Sequence, residues 1–221
     1  MMEQVEAILE ELRQLRDPRI LEVNARHGDD HAVNLTKLRA IAKRIGTDQE
    51  LARALWATDV TEAKLLTTLI GRVREFSPAE LDTMLRTART PKVHDWLVAY
   101  VVKKSRHAEQ LRVEWLRDPD PVVASAGWAL TSERVTKQPA GLDLEALVDT
   151  IEAELKDAPE RLQWAMNTCL GNIGIEHAQH RERVVAIGER LGVLGDYPVS
   201  PGCVSPYVPI WVSTMVARQD T

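Results

Sequence analysis

The residues best suited to chemistry stand together near the middle of the chain, in TPKVHDWLVAYVVKKS (Thr90–Ser105). Asp95 and Trp96 are adjacent there, and the stretch leaves through Lys103, Lys104 and Arg106. A carboxylate suits acid–base work, and a run of cations suits contact with phosphates. The stretch reads as one helix. Thr90 can cap it, Pro91 fits the first helical position where a missing N–H costs nothing, and Val93, Trp96, Leu97 and Val101 recur at helical spacing. Neighbouring helix residues point about 100° apart, so Asp95 and Trp96 do not share a face. The plain alternative makes Asp95 a solvated or ion-paired residue and Trp96 a core anchor.

The elements around this stretch also read as helices. Val5, Ile8, Leu9, Leu12 and Leu15 form an amphipathic first helix that ends before Pro18, and Arg19–Ala32 is ambiguous. Leu35–Ile45 follows, with Gly46 placed to close it. Thr47–Glu50, Asp59–Glu62 and Ser77–Glu80 each carry a capping-box pattern ahead of an apolar run, and Asp157–Glu160 starts another helix. Further helices are expected over His107–Leu116, from Asp120-Pro121 through Val122–Leu130, around Leu144–Leu155, after Glu160, over Arg181–Leu191, and in a short Pro206–Ala217 segment carrying Trp211. No strand pair emerges. Helices joined by short capped turns, without a heptad seam, read as an all-α solenoid of HEAT-like antiparallel helical pairs. One domain over 1–221 is expected, with Lys137–Asp143 as an inter-helix loop.

The chain has 221 residues, 44% of them hydrophobic and 28% charged, enough for a sizeable core. Its 28 Lys and Arg against 33 Asp and Glu give a net charge of −5, so any role on DNA must rest on a local basic patch. Two such groups stand out: Lys37, Arg39, Lys43 and Arg44 early, then Lys103, Lys104 and Arg106 with His107. Either could contact phosphates, and either could be an ordinary solvated helix face. His27 and His31 flank Asp29 and Asp30, but no outlying ligand accompanies them, so a loop or cap is the better reading than a metal site. Cys169 and Cys203 share no redox or metal spacing. The remaining tryptophans, Trp56, Trp115, Trp128 and Trp211, mostly fall on apolar stripes and read as core. An acidic, amphipathic start unlike a signal peptide, and the lack of any apolar run of membrane-spanning length, suggest a soluble cytoplasmic protein without metal or cofactor.

Several stretches carry a more specific likeness: VNLTKLRAIAKRIG with LARALWATDVTEAKLLTTLI, then WAMNTCLGNIGIEH, RERVVAIGERLGV, DYPVSPGC and SPYVPIW. Together they resemble the AlkD-like DNA alkylation repair family of the HEAT-like repeat DNA glycosylase superfamily. That resemblance implies a curved solenoid that cradles double-stranded DNA, and an activity that excises cationic N3- and N7-alkylpurines. In that chemistry a carboxylate stabilises the oxocarbenium character of the sugar, while aromatic faces hold the cationic lesion.

Active members of the family place a Trp four residues before the catalytic Asp, with a second Trp on a later helix. Here Trp96 takes the first position and Tyr100 stands where the acid would be. The later Trp falls near Thr168, one turn beyond Trp164, and a backbone-contacting arginine of the family falls on Ser125. The catalytic candidates are therefore Trp96 for contact and Asp95 for charge, and the DNA-binding candidates are Lys37, Arg39, Lys43, Arg44, Lys103, Lys104 and Arg106. Three readings follow, each for a protein expected to be a monomer: a glycosylase with a relocated acid, a non-catalytic reader of DNA shape, or a scaffold whose groove holds a protein partner.

Overall fold

The computed structural model describes residues 1–219, and every regular element among them is helical. The chain forms two compact units, Met1–Ala108 and the remainder from Glu109. The first holds α1 (Met2–Gln14), α2 (Pro18–Ala25), α3 (Leu35–Ile45), α4 (Gln49–Trp56), α5 (Thr61–Ile70), α6 (Pro78–Thr87) and α7 (Pro91–Trp96). The second is built from α8 (Ala108–Trp115), α9 (Pro121–Lys137), α10 (Leu144–Glu154), α11 (Glu160–Glu176), α12 (Ala178–Leu191) and α13 (Val208–Gln219). No helix among the described residues is long and apolar enough to cross a membrane.

Local chemistry sets many of these boundaries. Ser77 and Glu80 form both halves of a capping box ahead of α6, and Asp120 and Asp143 cap α9 and α10. Gly46 ends α3 at φ 74°, in the left-handed region where a side chain would be strained. The segment left ambiguous over Arg19–Ala32 begins as α2, with Asp17 capping it through Arg19 N.

Two capping boxes expected from the sequence do not form. Asp48 rather than Thr47 caps α4, accepting from Leu51 N. Asp59–Glu62 separates altogether: Asp59 pairs with Lys64 and Arg89, while Glu62 turns inward. Glu62 is 1% exposed and accepts hydrogen bonds from Ala32 N and Arg16 Nη1, each at 2.8 Å. A buried amide from another segment thus outcompetes the local cap. At the head of α11, Pro159 occupies the cap position and no side chain caps the helix.

In the first unit, Leu65, Leu66 and Ile70 of α5 are fully buried among Ile8 and Leu12 of α1, Leu38 of α3, Leu51 and Leu55 of α4, and Val93 and Trp96 of α7. In the second, Met166, Cys169, Leu170 and Ile173 of α11 meet Trp128, Val148, Ile151, Val184, Val208 and Val212. Close approach here depends on missing side chains. A Cβ on Gly127 would lie 2.5 Å from Leu116 N, and one on Gly171 would lie 2.5 Å from the Trp211 ring. Trp115 and Trp128 are core residues, 1% and 2% exposed.

Candidate nucleic-acid interface

The central helix is started from outside its own segment. Asp29 Oδ1, from the HGDDH loop, accepts from Lys92 N at 2.7 Å, whereas Thr90, expected to cap the helix, makes no side-chain cap bond. Asp29 is 7% exposed, so the bond is shielded from water. The stretch read as one regular helix changes pitch: α7 ends at Trp96, opens into a π turn over Leu97–Val101, and tightens to a 3-10 turn over Val102–Lys104. Such wide turns accommodate an extra residue and often mark functional segments.

Asp95 and Trp96 leave this helix into different surroundings. The Asp95 side chain is 61% exposed, with Oδ1 3.3 Å from His94 Nδ1. Trp96 is buried, and its ring is covered on one face by the Arg39 guanidinium, whose Cζ stands 4.8 Å from the ring centroid. Tyr100 meets the same indole edge-on, with centroids 5.2 Å apart. Its hydroxyl accepts from Arg39 Nη2 at 3.4 Å, and Lys104 Nζ lies 5.6 Å from the centre of its ring. Tyr100, the residue standing where the resemblance puts an acid, is therefore flanked by two cations.

The early basic helix divides its cations between two faces. Arg39 and Lys43, one turn apart, line a shallow depression with Ala42, Gly46, Thr47 and Leu69. Lys37 and Arg44, two turns apart, fall roughly opposite by helical geometry. Arg44 is held by Glu11 of α1, and its hydrogen bond keeps the Glu11 carboxyl below the usual carboxylate range. A second depression of about 700 Å³ shares Thr47 with the first and is lined by Arg72, Val73, Arg74, Lys104 and Arg106. Lys103 is half-buried, and Arg106 Nε approaches His107 Nε2 at 3.2 Å.

The structure thus brings Arg39, Lys43, Lys104 and Arg106 together and leaves Lys37 and Arg44 elsewhere on α3. It adds Arg72 and Arg74, which sequence reasoning missed because they lie in and beside the short 3-10 turn Val73–Glu75 rather than on a long helix. The only sequence signal for them is the alternation of basic residues in GRVREF.

The other motif positions fall on other elements. Ser125 is buried, its hydroxyl donating to Val122 O at 2.6 Å. Trp164 is 42% exposed and stands edge-on to Tyr197, with centroids 5.1 Å apart; Thr168 donates to Trp164 O. His31 is buried with Nε2 2.9 Å from Asn24 Nδ2, tying down the loop that carries Asp29. Cys169 is buried and its thiol is pushed up to about 12 by burial, while Cys203 is exposed.

One solved structure shares this architecture: a protein from "a new family of proteins related to the HEAT-like repeat DNA glycosylases with affinity for branched DNA structures". It aligns over 97% of this chain and 94% of its own, with a TM-score of 0.78 and 21% sequence identity. At that identity the likeness establishes the fold, a HEAT-like helical repeat, and not the activity. No curated protein matches the chain. The profile of the family described as "DNA alkylation repair enzyme" matches residues 8–190, most of the length, and the chain belongs to that family.

Proposed function

We propose that this protein binds DNA through the basic groove of its first unit, contacts backbone phosphates, and reads the shape of the duplex without hydrolysing a glycosidic bond. The observation carrying this reading is that Arg39, Lys43, Arg72, Arg74, Lys104 and Arg106 line two adjoining depressions in a chain whose net charge is −5. Concentrating cations against the overall balance creates a local potential that attracts a polyanion. The affinity for branched DNA of the structurally similar protein fits this use of the fold.

Two features argue against base excision. Stabilising an oxocarbenium-like sugar requires a carboxylate beside it, and the residue four positions after Trp96 is a phenol next to Arg39. The indole face that would hold a cationic purine carries a guanidinium instead. Asp95 remains the acid nearest in sequence, exposed beside His94.

The test combines anisotropy binding to a plain duplex and a four-way junction over a salt series with base release from a duplex containing N7-methylguanine. The expected result is salt-sensitive binding, stronger on the junction, with no released base. Base release that disappears in Asp95→Asn would instead establish a glycosylase using Asp95 as its acid. Neither binding nor release would direct the groove to a protein partner.

A further inference from the structure

The same groove contains a more specific arrangement at its junction. Tyr100 contacts one residue of each depression: Arg39 of the first bonds its hydroxyl, and Lys104 of the second lies against its ring. Arg39 is held at two points, over the Trp96 ring and at the Tyr100 oxygen, which leaves most of its donors free. Among the described residues, neither Arg39 nor Lys104 forms an ion pair with a carboxylate. A half-exposed phenol that accepts from Arg39 can still donate its own proton.

We propose that Arg39, Tyr100 and Lys104 form a phosphate clamp on the spot where the resemblance places a carboxylate, so that this position takes an anion and disfavours a cationic purine. This inference rests on the DNA-binding reading above and names the group bound at its centre. A phosphate oxygen meets the Arg39 fork together with the Tyr100 hydroxyl, and Lys104, over the ring, supplies the second charge. Charge-assisted, two-point contact of this kind is the strong form of phosphate recognition. Trp96 acts as a positioning residue: it holds the guanidinium over its ring and does not touch the ligand. The electrostatics of the site are thereby inverted, because two cations around a phenol repel a positively charged base and attract a phosphate.

An internal phosphodiester and a terminal phosphate monoester share this chemistry. The test therefore uses four-way and nicked junctions, each with a 5′-phosphate or a 5′-hydroxyl, against the full chain and its Tyr100→Phe, Tyr100→Asp, Arg39→Lys and Arg39→Ala variants. Tyr100→Asp is expected to weaken binding at least about tenfold by placing a carboxylate between the cations, and Tyr100→Phe only a few-fold. Arg39→Ala should lower the slope of log affinity against log salt by about 0.9, the value of one phosphate contact. Arg39→Lys should restore the slope but not the full affinity, since an ammonium lacks the planar fork.

Equal affinity for the two 5′ ends identifies the diester as the ligand, and preference for the phosphorylated end identifies the monoester. Tyr100→Asp binding that matches wild type, or N7-methylguanine release by Tyr100→Asp, overturns the clamp. Should Tyr100→Asp fail to fold, unchanged salt slopes in Arg39→Ala overturn it independently. Lys43→Ala and Arg74→Ala separate the two levels. If they weaken binding while the Arg39 and Tyr100 variants do not, the groove stands and the clamp falls. If none of them matters, both fall.

Discussion

The hydroxyl of Tyr100 lies 3.4 Å from Arg39 Nη2, across 61 positions of sequence, and this contact joins α3 to the π turn that follows α7. Its consequence is electrostatic. The position that resemblance marks for an acid holds a phenol, and two charged groups that contact it, Arg39 and Lys104, are positive. A site of that sign suits a phosphate.

The division of α3 into two faces predicts a division in DNA binding. Lys43→Ala should reduce the salt slope of binding by about 0.9, while Lys37→Ala, on the opposite face, should leave it unchanged. Anisotropy titrations over a salt series distinguish the two. Equal effects would mean that both faces of α3 meet DNA.

Asp29→Ala should destabilise the protein by about 1–2 kcal/mol, because it removes a shielded cap and leaves Lys92 N unpaired. Thr90→Ala should cost far less, since Thr90 makes no cap bond. Denaturant melts read both. The Lys92 amide should also exchange with solvent faster in Asp29→Ala.

Glu62→Ala should cost about 3 kcal/mol or more, because Ala32 N and Arg16 lose a buried acceptor together. An ordinary capping glutamate would cost about 1 kcal/mol. The size of the change therefore discriminates the inward-facing role from the local one.

Acidification should weaken the fold through His31. Burial pushes its imidazole below the ordinary 6.5, Lys92 adds to the effect, and Asp29, Glu62 and Asp30 oppose it. With the folded value depressed, the unfolded chain binds the proton first. Stability is then complete above 6.5 and is lost as pH falls from there through the folded value. His31→Gln should flatten that part of the profile in thermal melts from pH 7.5 to pH 5. An unchanged slope would assign it to other groups.

Alkylation should separate the two cysteines. Cys203 is exposed and should react with iodoacetamide in the native protein, whereas Cys169, with its thiol pushed up to about 12, should react only on unfolding. Mass spectrometry of partially labelled protein gives the order directly.

Much of the architecture is legible in the residues because the forces that write it are local. Helical spacing of Leu, Ile and Val marks the elements, and Ser77 with Glu80, Asp120 and Asp143 mark starts that the folded chain uses. The Trp96–Tyr100 relation is likewise local, four positions apart where α7 passes into the π turn. Other features are not local. Asp59–Glu62 spells a cap, yet Glu62 serves Ala32 and Arg16 because their burial makes an unpaired group costlier than an open helix end.

Asp29 caps a helix 63 residues away, which no window of sequence contains. The basic residues were visible as types, but their grouping was not: α3 turns Arg39 and Lys43 toward Thr47 and Arg44 toward Glu11, and a short turn supplies Arg72 and Arg74. Spacing determines which side chains share a helix face. Which face meets solvent, a neighbouring carboxylate or another cation depends on how separate helices pack, and that packing is what assembles the groove.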